Sequence, residues 1–188
     1  MAIIGAILGD IAGSQYEFSP AVKEAILSNA HFDETLRKFG REYPNRGFGG
    51  RFFQWLHAEG VKGAVVTAMC IYMARTGASK EEILKYAVAQ YPKSDYKYSA
   101  EYSLAEYRDS YEWDVSCQGS VPAAIRCFYE SEDYESFIRN VFSLNCDRDT
   151  LAAIGGGVAE EFYHGTVPDQ EELLKKYLSE NLYKIVKM

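Results

Sequence analysis

Apolar residues recur at helical spacing along almost the whole of this 188-residue chain, and no segment alternates with the two-residue period of a half-buried strand. Hairpin turns and the strand–helix–strand spacing of a parallel sheet are missing as well. The expected class is therefore all-α. Residues 2–14 (AIIGAILGDIAGS) read as a helix with Gly5, Gly9 and Gly13 on one face. Each glycine costs a helix up to ~1 kcal/mol relative to alanine, so a stripe of three suggests close approach by another helix or a ligand. Amphipathic helices follow at 21–31 and 33–42, then a Pro/Asn/Gly loop at 43–50 and a helix at about 51–57. Residues 61–76 (VKGAVVTAMCIYMART) are apolar on most sides and are expected to form the central, buried helix, ended by Gly77. Ser79-Lys80-Glu81-Glu82 is a capping-box pattern that opens a helix to about Ala89. Residues 91–116, rich in Tyr, Ser and charge, are the least regular part; their tyrosines read as an ordinary partly buried face, with a pocket or an interface as the alternatives. Gly119-Ser120-Val121-Pro122 opens a helix with Ser120 or Val121 near the cap and Pro122 in the first turn. Helices at about 133–143, 150–163 and 169–180 complete what reads as one domain over 1–188.

The balance of 20 Lys+Arg against 27 Asp+Glu gives a net charge of −7, which argues against nucleic acid as a non-specific partner. The first residues lack a cationic lead and Asp10 interrupts their apolar run, so no signal peptide is expected. No apolar run approaches the ~20 residues that a membrane span needs. Cys70, Cys117, Cys127 and Cys146 show no C-x-x-C pairing and sit in or beside apolar stretches. They read as reduced core thiols of a cytoplasmic protein.

The run Asn145-Cys146-Asp147-Arg148-Asp149-Thr150 places two carboxylates and a hydroxyl where a loop becomes a helix. Side chains at i and i+2 lie about 200° apart on a continuous helix, so Asp147 and Asp149 converge only if the segment is still turning there. Three hard oxygen donors at a helix start suit Mg²⁺ or Mn²⁺. A plain helix cap by either aspartate is the alternative. Asp10 and Glu17 would share a face of a continuing helix. Paired carboxylates serve as acid and base or as metal ligands; a salt-bridged Asp10 and a solvated Glu17 is the plainer reading. Gly119-Ser120 ahead of a helix can offer backbone N–H groups to a phosphate, although capping uses the same residue types. His31, His57 and His164 are scattered and form no ligand pattern.

Taken together, these segments resemble a known family. Ile4-Gly5-Ala6-Ile7-Leu8-Gly9-Asp10-Ile11-Ala12-Gly13-Ser14-Gln15-Tyr16-Glu17-Phe18 closely resembles the opening motif of the ADP-ribosylglycohydrolases, which include the dinitrogenase reductase-activating glycohydrolases. Arg41–Gly50 resembles the next stretch of that family, and His57-Ala58-Glu59-Gly60-Val61-Lys62-Gly63-Ala64 its HPEG-x-KGA segment. Asp114-Val115-Ser116-Cys117-Gln118-Gly119-Ser120-Val121-Pro122 is similar to its D-x-x-x-x-x-GSVP loop, and Asp147-Arg148-Asp149-Thr150 to its D-x-D-T metal motif. The resemblance implies an orthogonal multi-helix bundle with a binuclear Mg²⁺ or Mn²⁺ site. It implies hydrolysis of the bond between ADP-ribose and an acceptor such as arginine or serine. Asp147, Asp149 and Thr150 would then be metal ligands, with Asp149 also catalytic. Glu17 would be the catalytic acid/base or gating carboxylate. Asp10, Gly119 and Ser120 would bind substrate: an ADP-ribose-containing small molecule or an ADP-ribosylated protein.

Two stretches of the family pattern have no counterpart. After Phe18, Ser19-Pro20 lead straight into Ala21-Val22-Lys23-Glu24, where the family carries T-D-D-[TS]; Phe32-Asp33-Glu34-Thr35 comes a whole helix too late and reads as a cap. Near Leu56-His57 the family's phosphate-cradling N-G-x-x-M-R run is missing. Mg²⁺ takes about six oxygen ligands, and one motif supplies half of them. The expectation is a shortened hydrolase with weakened or lost activity; the alternative is a non-catalytic descendant that binds an ADP-ribose-like ligand or a protein partner. Core exposed by the missing segments would be covered in a homodimer or by domain swapping.

Overall fold

The computed structural model describes Ile4, Ala6 and residues 60–187. Ile4 and Ala6 are helical and Ile4 packs on the core; the rest of 2–14, with its glycine stripe, lies outside the described residues. The segments 21–31, 33–42, 43–50 and 51–57 lie outside the described residues. Within 60–187 the regular structure is entirely helical: α1 (Gly60–Arg75), α2 (Lys80–Gln90), α3 (Leu104–Ser110), α4 (Cys117–Tyr129), α5 (Tyr134–Phe142), α6 (Arg148–Tyr163), α7 (Gln170–Tyr177) and α8 (Glu180–Val186). The fold is all-α.

Local chemistry sets most of these boundaries. Gly77 closes α1 at φ 85°, in the left-handed region that glycine enters without a Cβ penalty. The N–H of Ala78 reaches back to the Met73 carbonyl at 2.9 Å and that of Gly77 to Ala74 at 3.2 Å, a Schellman closure. Ser79 and Glu82 form the expected reciprocal capping box at α2. Ser103 and Glu106 do the same for α3, a helix missing from the sequence reading of 91–116. Asp133 caps α5. Near the C-terminus the helix expected at 169–180 ends at Tyr177, because the chain turns extended at Leu178, and a further helix, α8, follows.

α1 is not buried on most sides. Val66, Cys70 and Ala74 enter the core, whereas Val65, Met69 and Tyr72 on the opposite flank are exposed. Its apolar composition hid a one-sided helix, because alanine, valine and methionine occupy the outward face too. The tyrosines of 91–116 are more deeply placed than a partly buried face requires. Tyr91, Tyr98, Tyr107 and Tyr111 belong to the core, and Tyr98 lies 4.6 Å from Tyr111 and 6.1 Å from Tyr107, ring centre to ring centre.

The core is assembled around α4 and α6. At their crossing, a Cβ on Gly155 would lie 2.6 Å from Phe137 Cζ and 3.1 Å from the Ala124 carbonyl, so only glycine admits this approach. Farther along, Phe128 and Phe162 meet edge to face at 5.2 Å, and the hydroxyl of Ser131, just past α4, is 2.9 Å from that of Tyr163, the last residue of α6. The two helices therefore run in the same sense. α1 runs with them: Gly63 near its start lies against Cys117 at the start of α4, and Arg75 at its end pairs with Glu161 of α6 at 2.7 Å.

Candidate functional site

Three like-directed helices bring three N-termini to one end of the molecule. These are the start of α1 with Lys62-Gly63-Ala64, the segment 114–120 at the start of α4, and the segment 147–150 at the start of α6. Helix N-termini carry partial positive charge and unpaired N–H groups. Three half-buried carboxylates, Asp114, Asp147 and Asp149, lie in these starting segments.

At α6 the helix begins at Arg148, which makes Asp147 its N-cap residue, extended at φ −72° and ψ 91°. Asp147 is thus outside the helix and Asp149 inside it, the condition under which the two carboxylates can face one another. Asp147 occupies the cap position, yet its side chain caps no N–H. It accepts instead from the Thr150 hydroxyl at 3.0 Å. Asp149 accepts from the Thr150 N–H at 2.9 Å. A threonine that gives its proton to Asp147 keeps its oxygen lone pairs for another partner. The donor chemistry, two carboxylates and an oriented hydroxyl, fits a hard divalent cation as a partial set. Among the described residues, no three His, Cys, Asp or Glu side chains gather to complete it.

At α4 the helix starts earlier than the sequence suggested. Ser116 caps it and Pro122 lies well inside it. The N–H of Gly119 is taken by the Ser116 carbonyl at 3.1 Å and its hydroxyl at 3.2 Å; that of Ser120 by the same carbonyl at 2.8 Å. Neither amide is left for a phosphate, which corrects the expectation of an amide cradle at 119–120. The signal that misled was Pro122, whose usual place is the first turn. Gly119 has a different use. A Cβ there would lie 2.7 Å from Asp114 Oδ2, so the glycine seats the Asp114 carboxylate against the helix. The other Asp114 oxygen accepts from the Ser116 N–H at 2.7 Å.

Tyr111 was not singled out by the sequence. Its ring is held by Tyr98 and Tyr107, it is 4% exposed, and its hydroxyl has no hydrogen-bond partner. Burial first, and then the Asp114 charge, push its ionisation well above the usual tyrosine range. Asp10, Glu17, His31 and His57 lie outside the described residues. His164 ends α6 in the left-handed region at φ 58°. None of the four cysteines is in a disulfide. Burial pushes Cys70 and Cys146 up to about 12 and raises Cys127 too, the behaviour of inert core thiols.

A family model described as ADP-ribosylglycohydrolase matches residues 54–159, more than half of the chain. The chain belongs to the ADP-ribosylglycohydrolase family. The matched span contains all three N-terminal segments gathered at one end of the fold. No curated protein matches the chain, and no solved structure does. Among the described residues, no helix is long and apolar enough to cross a membrane.

Proposed function

We propose that this ADP-ribosylglycohydrolase-family chain, read as one domain over 1–188, is a metal-dependent hydrolase of ADP-ribose conjugates. The observation that carries the reading is the start of α6, where Asp147 holds the cap position without capping and instead orients Thr150. That arrangement gives up a helix-stabilising bond, and a family of hydrolases has a use for it. Asp147, Asp149 and Thr150 would hold Mg²⁺ or Mn²⁺, which in a binuclear site would supply Lewis-acid assistance to glycosidic hydrolysis. Asp149 also serves the reaction as a carboxylate beside the scissile bond. Glu17 moves a proton, and Asp10, Gly119 and Ser120 line the ADP-ribose subsite. The three gathered helix N-termini favour the pyrophosphate. The reading includes a cytoplasmic location and a homodimer that covers the apolar flank of α1.

A second reading is a non-catalytic binder of an ADP-ribose-like ligand or of a protein. It is favoured by the missing T-D-D-[TS] and N-G-x-x-M-R segments of the sequence. Calorimetric titration with ADP-ribose, with and without Mg²⁺ or Mn²⁺, separates the two when paired with an assay for ADP-ribose release from ADP-ribosyl-arginine. The first reading expects metal-dependent binding and release, both lost in Asp149→Ala. Binding without release supports the second. Neither binding nor release overturns both.

A further inference from the structure

The loop between α3 and α4 holds an unpaired donor close in sequence to an unfilled acceptor. Tyr111 closes α3 with its N–H on the Tyr107 carbonyl at 2.8 Å, so its backbone is fixed. Its ring is fixed by Tyr98 and Tyr107. The hydroxyl is buried with no hydrogen-bond partner, an arrangement that costs the fold the desolvation of a polar group. Three residues on, Asp114 spends one oxygen on the Ser116 N–H. Its Oδ2 lies over Gly119, in a half-buried position, with no hydrogen-bond partner among the described residues. The loop also carries Trp113 and Val115, both exposed, so Asp114 is set between two outward apolar side chains.

We infer that Tyr111 is a positioning residue and Asp114 a ribose-hydroxyl acceptor: when a ribosyl ligand engages this end of α4, the buried Tyr111 hydroxyl holds the Asp114 carboxylate. The inference rests on the ADP-ribose reading of the site and adds a subsite to it. A carboxylate suits the paired hydroxyls of a ribose, because it accepts from both while they remain close together. A second donor behind it fixes its rotamer in the bound state, and a tyrosine with no prior partner does so without breaking a bond. An unpaired buried hydroxyl is then what the ligand-free state should show, its hydrogen bond being deferred until the ligand draws Asp114 into reach. Asp114 precedes α4, whose start lies at the same end of the fold as Asp147 and Asp149 at the start of α6.

The test measures ADP-ribose affinity and ligand-free thermal stability on the full chain for wild type, Tyr111→Phe, Asp114→Asn and the double variant. Tyr111→Phe is expected to keep or raise the ligand-free melting temperature and to weaken ADP-ribose binding by about tenfold. Asp114→Asn weakens it at least as much, and the double variant is no weaker than Asp114→Asn alone, because Tyr111 acts only through Asp114. A merely structural tyrosine would move stability and leave affinity in place, or move both together. Tyr111→Phe that binds like wild type, additive losses in the double variant, or a Tyr111→Phe chain that melts lower or fails to fold each overturn the inference. Wild type that binds no ADP-ribose overturns the functional reading along with it. Wild type that binds, with Asp149→Asn weakened and Tyr111→Phe intact, overturns this inference alone.

Discussion

Thr150 gives its hydroxyl proton to the Asp147 carboxylate at 3.0 Å, across the first turn of α6. An N-cap aspartate ordinarily spends its carboxylate on the second or third N–H of the helix. Asp133 does so at α5, accepting from the Ser136 N–H at 2.7 Å. Both aspartates hold the N-cap position of a helix, yet only Asp133 caps an N–H.

That contrast sets the first prediction. Asp147→Asn keeps an acceptor for Thr150 and breaks no cap bond, whereas Asp133→Ala removes one and should cost folding about 1 kcal/mol by urea denaturation. If α6 starts at a metal site, Asp147→Asn and Asp149→Asn should each weaken Mn²⁺ binding at least tenfold in titrations without substrate. Unchanged Mn²⁺ affinity in both variants would remove the D-x-D-T run from the ligand set.

Gly155 sets a steric limit on the fold. Its missing Cβ makes room for the Phe137 ring and for the Ala124 carbonyl, one a side chain and the other backbone. Gly155→Ala should therefore destabilise by about 2 kcal/mol despite alanine's better helix propensity. Phe137→Leu should relieve part of that, because the side chain gives way and the carbonyl does not. A double-mutant cycle by urea denaturation should show coupling above about 0.5 kcal/mol. Additive losses would mean that Gly155 matters for some other reason.

What the sequence disclosed follows from how local each signal is. Gly77 and the Ser79–Glu82 box are contained within a few residues, and both ends of that turn stand where they were expected. The box at Ser103–Glu106 was equally local, but it was masked by the tyrosines around it, whose two-sided chemistry conceals an apolar period. Pro122 misplaced the start of α4, because proline's preference for the first turn is statistical, while the Ser116 cap is a specific bond. Family membership was legible in the motifs that fall within residues 54–159. The gathering of three helix starts was not, since it depends on contacts such as Gly63–Cys117 and Gly155–Ala124 between residues 54 and 31 positions apart. Tyr111 gave no sequence signal, because an unpaired hydroxyl is a property of its surroundings.

Lys62 lies within the stretch that resembles the K-G-A motif, and the fold gives it a structural duty. Its ammonium donates to the Gln90 carbonyl at 2.6 Å and to the Tyr96 hydroxyl at 2.8 Å, and it lies 4.7 Å from the ring centres of both Tyr91 and Tyr96. One cation thus ties α1 to the end of α2 and to the chain that follows. Hydrogen bonds to a charged group are worth about 1.5–3 kcal/mol, and cation–π contacts add about 0.5–1 at a partly exposed site. Lys62→Met should lower unfolding free energy by about 2 kcal/mol and increase hydrogen exchange at residues 91–98. If exchange there stays at the wild-type rate, Lys62 does not hold that segment.

Alkaline stability should report the buried thiols. Cys70 and Cys146 are pushed up to about 12 by burial, against roughly 8.5 for a free thiol. The neutral thiol is favoured in the folded chain, while the unfolded chain ionises first. The stabilisation is therefore intact below about pH 8.5 and drains away as pH climbs toward 12, by at most about 1.4 kcal/mol per pH unit for each thiol. Buried Tyr107, Tyr111 and Tyr134, all raised chiefly by burial, steepen the loss above about pH 10. The urea midpoint should fall between pH 8 and pH 10.5, and Cys70→Ala should flatten the slope while lowering stability overall. At pH 8 a thiol reagent should modify half-buried Cys117 first and reach Cys70, Cys127 and Cys146 only as the chain unfolds. Simultaneous reaction of all four in the native protein would contradict the burial on which the alkaline slope depends.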